Sequence, residues 1–215
     1  MRKRTILTGL TIFCVLALMS LLTACAPTPI PPQPRPLGNI AVAAFTAPTQ
    51  NWELLAGYLP DEGKGVKPEI LARLDDNLNQ TLRSHGVKVS STAVATRQCQ
   101  EIVVFERAGK SRESAWAYWL SVGKCLPADF ILVPQVLRWK ELEGGGNPAS
   151  VILDLYLIDV KAERMVTRIH FDETQKALTD NLLDMGKFMR RKGEWVAADV
   201  LAKEGVEAGL REMGL

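Results

Sequence analysis

Val151-Ile-Leu-Asp-Leu-Tyr-Leu-Ile-Asp-Val160 is the stretch that decides the fold. Leu153, Leu155 and Leu157 recur at every second position, opposite Ile152, Asp154, Tyr156 and Ile158, and a period of two is that of a β-strand. Asp159 to Arg164 supplies a hairpin turn, and Met165, Thr167, Ile169 and Phe171 fall on one face of a returning strand. Upstream, Gly144-Gly-Gly-Asn-Pro148 reads as a turn, and Asp129 to Trp139 as a long strand. Pro134 has no N–H to donate, so it implies a bulge or an edge there. Three strands in succession make an antiparallel meander.

Further towards the N-terminus the pattern changes. Ile40-Ala-Val-Ala-Ala-Phe45 is an apolar run expected to be a buried strand. Residues 46–66 hold Gly57, Pro60, Gly63 and Gly65, which break regular structure, yet also Trp52, Leu54, Leu55 and Tyr58. Pro68 suits a first helical position, Ile70, Leu71, Leu74, Leu78 and Leu82 follow at helical spacing, and Gly86 is a natural stop. Val87 and Val89 alternate as a short strand. Helices are expected over about 92–107 and 112–123, the latter carrying Trp116, Trp119 and Leu120. The last forty residues read as helices over about 179–190 and 195–213, with Val196, Val200, Leu201, Val206 and Leu210 on one side. The order predicts one α/β (α+β) domain over 38–215: a mixed sheet with early helical crossovers, the later meander and C-terminal helices.

The first 24 residues are of a different kind. Arg2, Lys3 and Arg4 precede an apolar stretch from Ile6 to Leu22, which on length alone serves as a signal-peptide core or as an uncleaved anchor helix. Leu22-Thr23-Ala24-Cys25 favours the signal: small residues fit a peptidase groove, and the Cys25 thiol accepts a diacylglyceryl group. The motif resembles the lipobox of bacterial lipoproteins, which implies acyl chains, palmitate among them, that hold the mature chain at a bilayer. Ala26 stands where Asp commonly marks inner-membrane retention, so the resemblance favours a periplasm-facing outer-membrane location over the inner membrane or cell surface. Residues 26–36 contain six prolines in eleven positions. They are expected to form an extended tether of roughly 35 Å at about 3.1 Å per residue, with residues 25–37 as the linking segment.

Composition narrows the function. The chain has 26 Lys+Arg against 24 Asp+Glu; the three basic residues of the leader leave with it, and a near-neutral remainder argues against nucleic acid as a partner. Cys14 also leaves and Cys25 is acylated, so Cys99 and Cys125 remain, either as buried thiols or as a disulfide contributing about 3 kcal/mol. Neither lies in a CxxC or Cys/His cluster, and no metal is expected. His85, next to Gly86, suits a helix end; His170 is expected on a solvated strand face. The adjacent pairs Asp61-Glu62, Asp75-Asp76 and Asp172-Glu173 point apart and form no dyad. Asp129 and Asp159 suit caps or turns, Gly144–Gly146 a hairpin, and Arg190-Arg-Lys192 a helix C-terminus rather than a lipid contact. No nucleophile elbow, zinc-protease motif or phosphate loop is present, so no catalytic residue and no cofactor is expected.

Ala128-Asp-Phe-Ile-Leu-Val133, Trp139 and the Leu155-Tyr-Leu-Ile-Asp-Val160 strand resemble envelope lipoproteins with the curli-secretion and penicillin-binding-protein-activator fold, related to the N-terminal domain of the Tol-system propeller protein. The resemblance covers about residues 38–175 and implies an accessory role in envelope assembly or cell-wall machinery. Segments for a transmembrane barrel are not left over, which disfavours the secretion-pore branch. The expectation is a non-enzymatic interaction module with a protein or glycan partner, Trp52 and Tyr58 being the candidate contact surface. The alternative is an envelope hydrolase or small-ligand-binding lipoprotein.

Serine lacks the thiol that takes the lipid, so Cys25→Ser should abolish acylation and accumulate uncut precursor on immunoblots. Normal cutting and lipid labelling of that variant would contradict the leader assignment.

Overall fold

Strand β4 (Ser150–Asp159) pairs antiparallel on one side with β3 (Phe130–Lys140) and on the other with β5 (Arg164–Thr174). The computed structural model describes residues 38–60, 65–103, 111–143, 148–175, 191 and 194–215. The expected leader, Leu22 to Cys25, the proline tether, Asp61-Glu62, the Gly144–Gly146 turn, the 179–190 helix, Arg190 and Lys192 lie outside those residues. Before the meander come β1 (Ile40–Val42), a 3-10 turn (Asn51–Glu53), α1 (Pro68–Ser84), β2 (Val89–Ser91), α2 (Ala93–Ile102) and α3 (Arg112–Cys125). After it comes α4 (Ala198–Glu212). The sheet order is β2-β1-β3-β4-β5, with β1 parallel to both β2 and β3. Parallel pairs need crossovers, which α1 and the α2–α3 pair supply, while the antiparallel half needs only turns.

Both faces of the sheet are covered. Leu153, Leu155 and Leu157 pack with Leu74, Leu78 and Leu82 of α1 and Leu201, Val206 and Leu210 of α4. On the opposite face Tyr156 and Ile158 pack with Trp119, Leu120 and Val122 of α3. Ile152 meets Leu54 and Leu137 on a smaller patch. Cys99 of α2 and Cys125 at the end of α3 are joined by a disulfide, with Cα atoms 6.0 Å apart. The bond ties two helices that share this second layer.

Three expectations change in the folded chain. A bulge between Leu157 and Ile158 pairs Leu157 with Thr167 but Ile158 with Met165. The extra residue, Val166, flips the parity, so Met165 packs with Ile158 and Tyr156 instead of sharing a face with Ile169 and Phe171. Val200 is 43 % exposed; the buried side of α4 runs instead through Ala198, Leu201, Ala202, Gly205, Val206, Gly209 and Leu210. Pro134 is neither at an edge nor in a bulge. It sits in the central strand opposite Leu155, and the irregularity falls later, between Val136 and Arg138. Its carbonyl accepts from Thr46 N, so its nitrogen also faces the β1 side, where the regular ladder has ended at Val42. No donor is lost there.

Helix α4 lies close on the sheet because two positions lack side chains. A Cβ on Gly205 would come within 2.6 Å of the Phe171 ring, and one on Gly209 within 2.7 Å of Leu155 Cδ1. Helix α1 ends at Gly86 (φ +68°), with Val87 N donating to Leu82 O, the closing bond of a Schellman turn. Gly205→Val should therefore lower the urea midpoint by an amount equivalent to about 1–3 kcal/mol of overpacking. Gly65→Ala, with open space around it, should leave the midpoint within about 0.5 kcal/mol.

Candidate functional site

Across the middle of the sheet runs a row of polar residues. Thr46 bridges Gln135, Gln135 pairs with Asp154, and Asp154 pairs with His170. Each is a directly opposed neighbour, so their side chains share the face covered by α2 and α3. Asp154 has no exposed surface, and an isolated buried carboxylate is costly unless donors surround it.

The donors come from β4 and β5. Tyr156, two residues on and on the same face, donates its hydroxyl to Asp154 Oδ2 at 2.5 Å. Arg168, opposite Tyr156, brings Nε to 3.2 Å and Nη2 to 2.9 Å from the same oxygen. His170 Nδ1 lies 2.7 Å from Oδ1; a carboxylate only accepts, so Nδ1 carries the proton. The sequence places His170 on a solvated face. It is indeed about half exposed, but it spends one ring nitrogen on a buried acid.

This cluster also holds the segment above it. Ala56 O is 3.3 Å from the Tyr156 hydroxyl. The phenol has one proton, and the shorter, charged acceptor Asp154 takes the greater share of it. Gly57 has φ +77°, and a Cβ there would meet Arg168 Nη2 at 2.6 Å, so only glycine fits over the guanidinium. Arg112, the first residue of α3, donates to Gly57 O and places its guanidinium 5.1 Å from the centre of the Tyr58 ring. Asn51 Oδ1 accepts from Leu59 N at 2.7 Å, and Gln135 Nε2 donates to Glu53 O at 3.3 Å. The result is a fixed segment whose Tyr58 is 78 % exposed. Trp52, in the 3-10 turn, is half-buried, and Trp119 is a core residue at 3 % exposure.

At the Thr46–Gln135 end of the row lies an open cavity of about 210 Å3. Tyr118, Trp119 and Ala115 of α3 form one side, and Glu53 with Thr46 and Gln135 another. Gln135 Oε1 and Thr46 Oγ1 are buried and have no hydrogen-bond partner.

The remaining acids and bases are accounted for structurally. Asp75, on the buried side of α1, accepts from Phe45 N at 2.7 Å and from Arg97 at 3.0 Å. Its burial outweighs those donors and keeps its carboxyl above the ordinary value. Arg191 joins Glu173 and Glu204 and is largely buried, so it is not a free lipid contact. Asp129 accepts from Asn39 N and Asp159 from Ala162 N, as strand-flanking caps do. His85 closes α1, its Nδ1 2.9 Å from Leu215 O. Among the described residues no group of three or more His, Cys, Asp or Glu is placed to hold a metal, and no helix is long and apolar enough to cross a membrane.

No family model matches the chain, and no curated protein does. Several solved structures show a distant likeness. A PelC dodecamer from Paraburkholderia phytofirmans has 13% identity over 86% of this chain and 95% of its own, at a TM-score of 0.47. The hypothetical protein CT253 from Chlamydia trachomatis has 17% identity over 83% and 99%, at 0.41. Lipoprotein GNA1162 from Neisseria meningitidis has 13% identity over 73% and 99%, at 0.35.

Burial first, and then the charge and hydrogen bond of Asp154, hold the Tyr156 phenol well above its ordinary value. The folded phenol stays protonated while the unfolded one ionises above pH ~10, so this contribution is present below that pH and is lost as pH rises beyond it. Tyr156→Phe should cost about 1.5–3 kcal/mol at pH 7, as a hydrogen bond to a charged acceptor, and should flatten the alkaline fall in the urea midpoint. An unchanged alkaline slope would contradict this arrangement.

Proposed function

We propose that the protein is a membrane-tethered envelope lipoprotein whose domain docks a protein partner and catalyses no reaction. The observation that carries this reading is Tyr58: an exposed aromatic on backbone held by Arg112 at Gly57 O and by Asn51 at Leu59 N. An aromatic on a pre-ordered segment loses little freedom when a partner covers it, the property of an interface anchor. The lipobox at Cys25 and the proline tether support an envelope site of action, with the spacer setting which partners lie within reach.

The rival reading, a hydrolase, would use the Asp154–His170 pair to orient an imidazole base. Here both Asp154 oxygens are already occupied by Tyr156, Arg168 and His170. That saturation suits a fixed structural charge better than a group that responds to changing charge on a substrate.

Replacing Tyr58 with a photo-crosslinking phenylalanine analogue should give a discrete adduct in the native envelope, whereas the same residue at Val200, on the α4 side, should not. Tyr58→Ala should leave stability within about 0.5 kcal/mol and weaken binding of the crosslinked partner about 30-fold, the loss of a 2 kcal/mol anchor. Equal adducts at both positions, or full binding by Tyr58→Ala, would overturn the reading.

A further inference from the structure

Tyr58 does not stand alone on its surface. The Arg112 guanidinium lies 5.1 Å from the centre of its ring and donates from Nη2 to Gly57 O, so a partner that covers the ring covers the cation as well. Arg164 and Arg168 of β5 are answered within the chain by Asp159 and Asp154. Arg112 meets no carboxylate among the described residues. Two acids close by in sequence are placed elsewhere. Glu113 follows Arg112 on the helix, where consecutive side chains point apart, and Glu53 Oε2 is bound to Thr49 N at 2.6 Å and Gln50 N at 3.1 Å. Much of the rest of this surface is apolar: Trp116, one turn further along α3 on the same face, and Leu55 and Ala56 are only partly buried against the core.

We propose that the partner docked at Tyr58 presents an acidic side chain, an Asp or Glu, to Arg112. The inference rests on the Tyr58 reading and follows from it by desolvation. Taking a guanidinium out of water without a counter-charge is strongly unfavourable, and a neutral carbonyl compensates less than a charged acceptor does. A carboxylate matches the planar fork with two parallel bonds. Gly57 O occupies one of the five N–H groups, so an edge with two donors remains for it. A partner cation at this place is repelled, so the same charge that needs an acid also selects against basic segments.

The test uses the full-length protein in isolated envelopes, with the photo-crosslinking phenylalanine analogue at position 58, and measures adduct yield against salt. The yield should fall about fivefold between about 0.05 and 0.5 M NaCl, because salt screens the charge pair as it forms. Arg112→Gln, whose amide can still donate to Gly57 O, should lower the yield about tenfold at low salt and remove the salt dependence. Arg112→Lys keeps the charge and should keep the salt dependence. A merely structural Arg112 would instead lower the yield in both variants and leave the salt response of the remainder unchanged. Hexaglutamate at low salt should compete the adduct away and hexalysine should not, which tests the charge without any substitution and so covers a variant that fails to fold. An adduct indifferent to salt and to hexaglutamate would overturn this proposal and leave the Tyr58 reading standing. An adduct with lipid, or no adduct at all, would overturn both.

Discussion

A carboxylate with no exposed surface sits in the middle of this sheet, and much of the α2–α3 side of the molecule is arranged around its charge. Breaking a buried charge pair by removing one member typically costs about 3–5 kcal/mol, so Asp154 constrains its surroundings more than any single apolar contact does. It draws Arg168 and His170 from β5, aligns the Tyr156 hydroxyl, and fixes which residues can lie above. Gly57 follows from this, since a side chain there would collide with the Arg168 guanidinium.

The two faces of the sheet thereby take different roles. Towards α1 and α4 the packing is apolar and close, with Gly205 and Gly209 admitting Phe171 and Leu155. Towards α2 and α3 the packing is interrupted by the Thr46–Gln135–Asp154–His170 row, and both the exposed Tyr58 and the open cavity lie along it. The disulfide between Cys99 and Cys125 joins the two helices of this side, one of which lines the cavity with Tyr118 and Trp119.

Much of the architecture was legible in the sequence because it rests on period and punctuation. The alternation in Val151–Val160, the heptad-like leucines after Pro68 and the stop at Gly86 all correspond to elements of the fold. Errors arose where a single residue changed parity. The bulge at Leu157/Ile158 turned Met165 over, and the small residues of α4, which read as neutral, define its buried side while Val200 faces out. The polar row was not legible for another reason: its members are separated by up to 124 positions from Thr46 to His170, and only strand register brings them together. Asp154 amid leucines and isoleucines was the available signal, since a charge in such a strand requires partners. Tyr58 was legible as a misplaced aromatic in a glycine-rich segment, but the Arg112 contacts that hold it were not.

If the buried charge is what fixes the segment bearing Tyr58, its removal should loosen that segment before the rest of the chain. Hydrogen–deuterium exchange on Asp154→Asn against the unaltered protein measures this directly. Exchange over residues 54–60 should be at least tenfold faster in the variant, with protection retained in α1 and α4. Unchanged exchange over 54–60, or an equal increase everywhere, would contradict it.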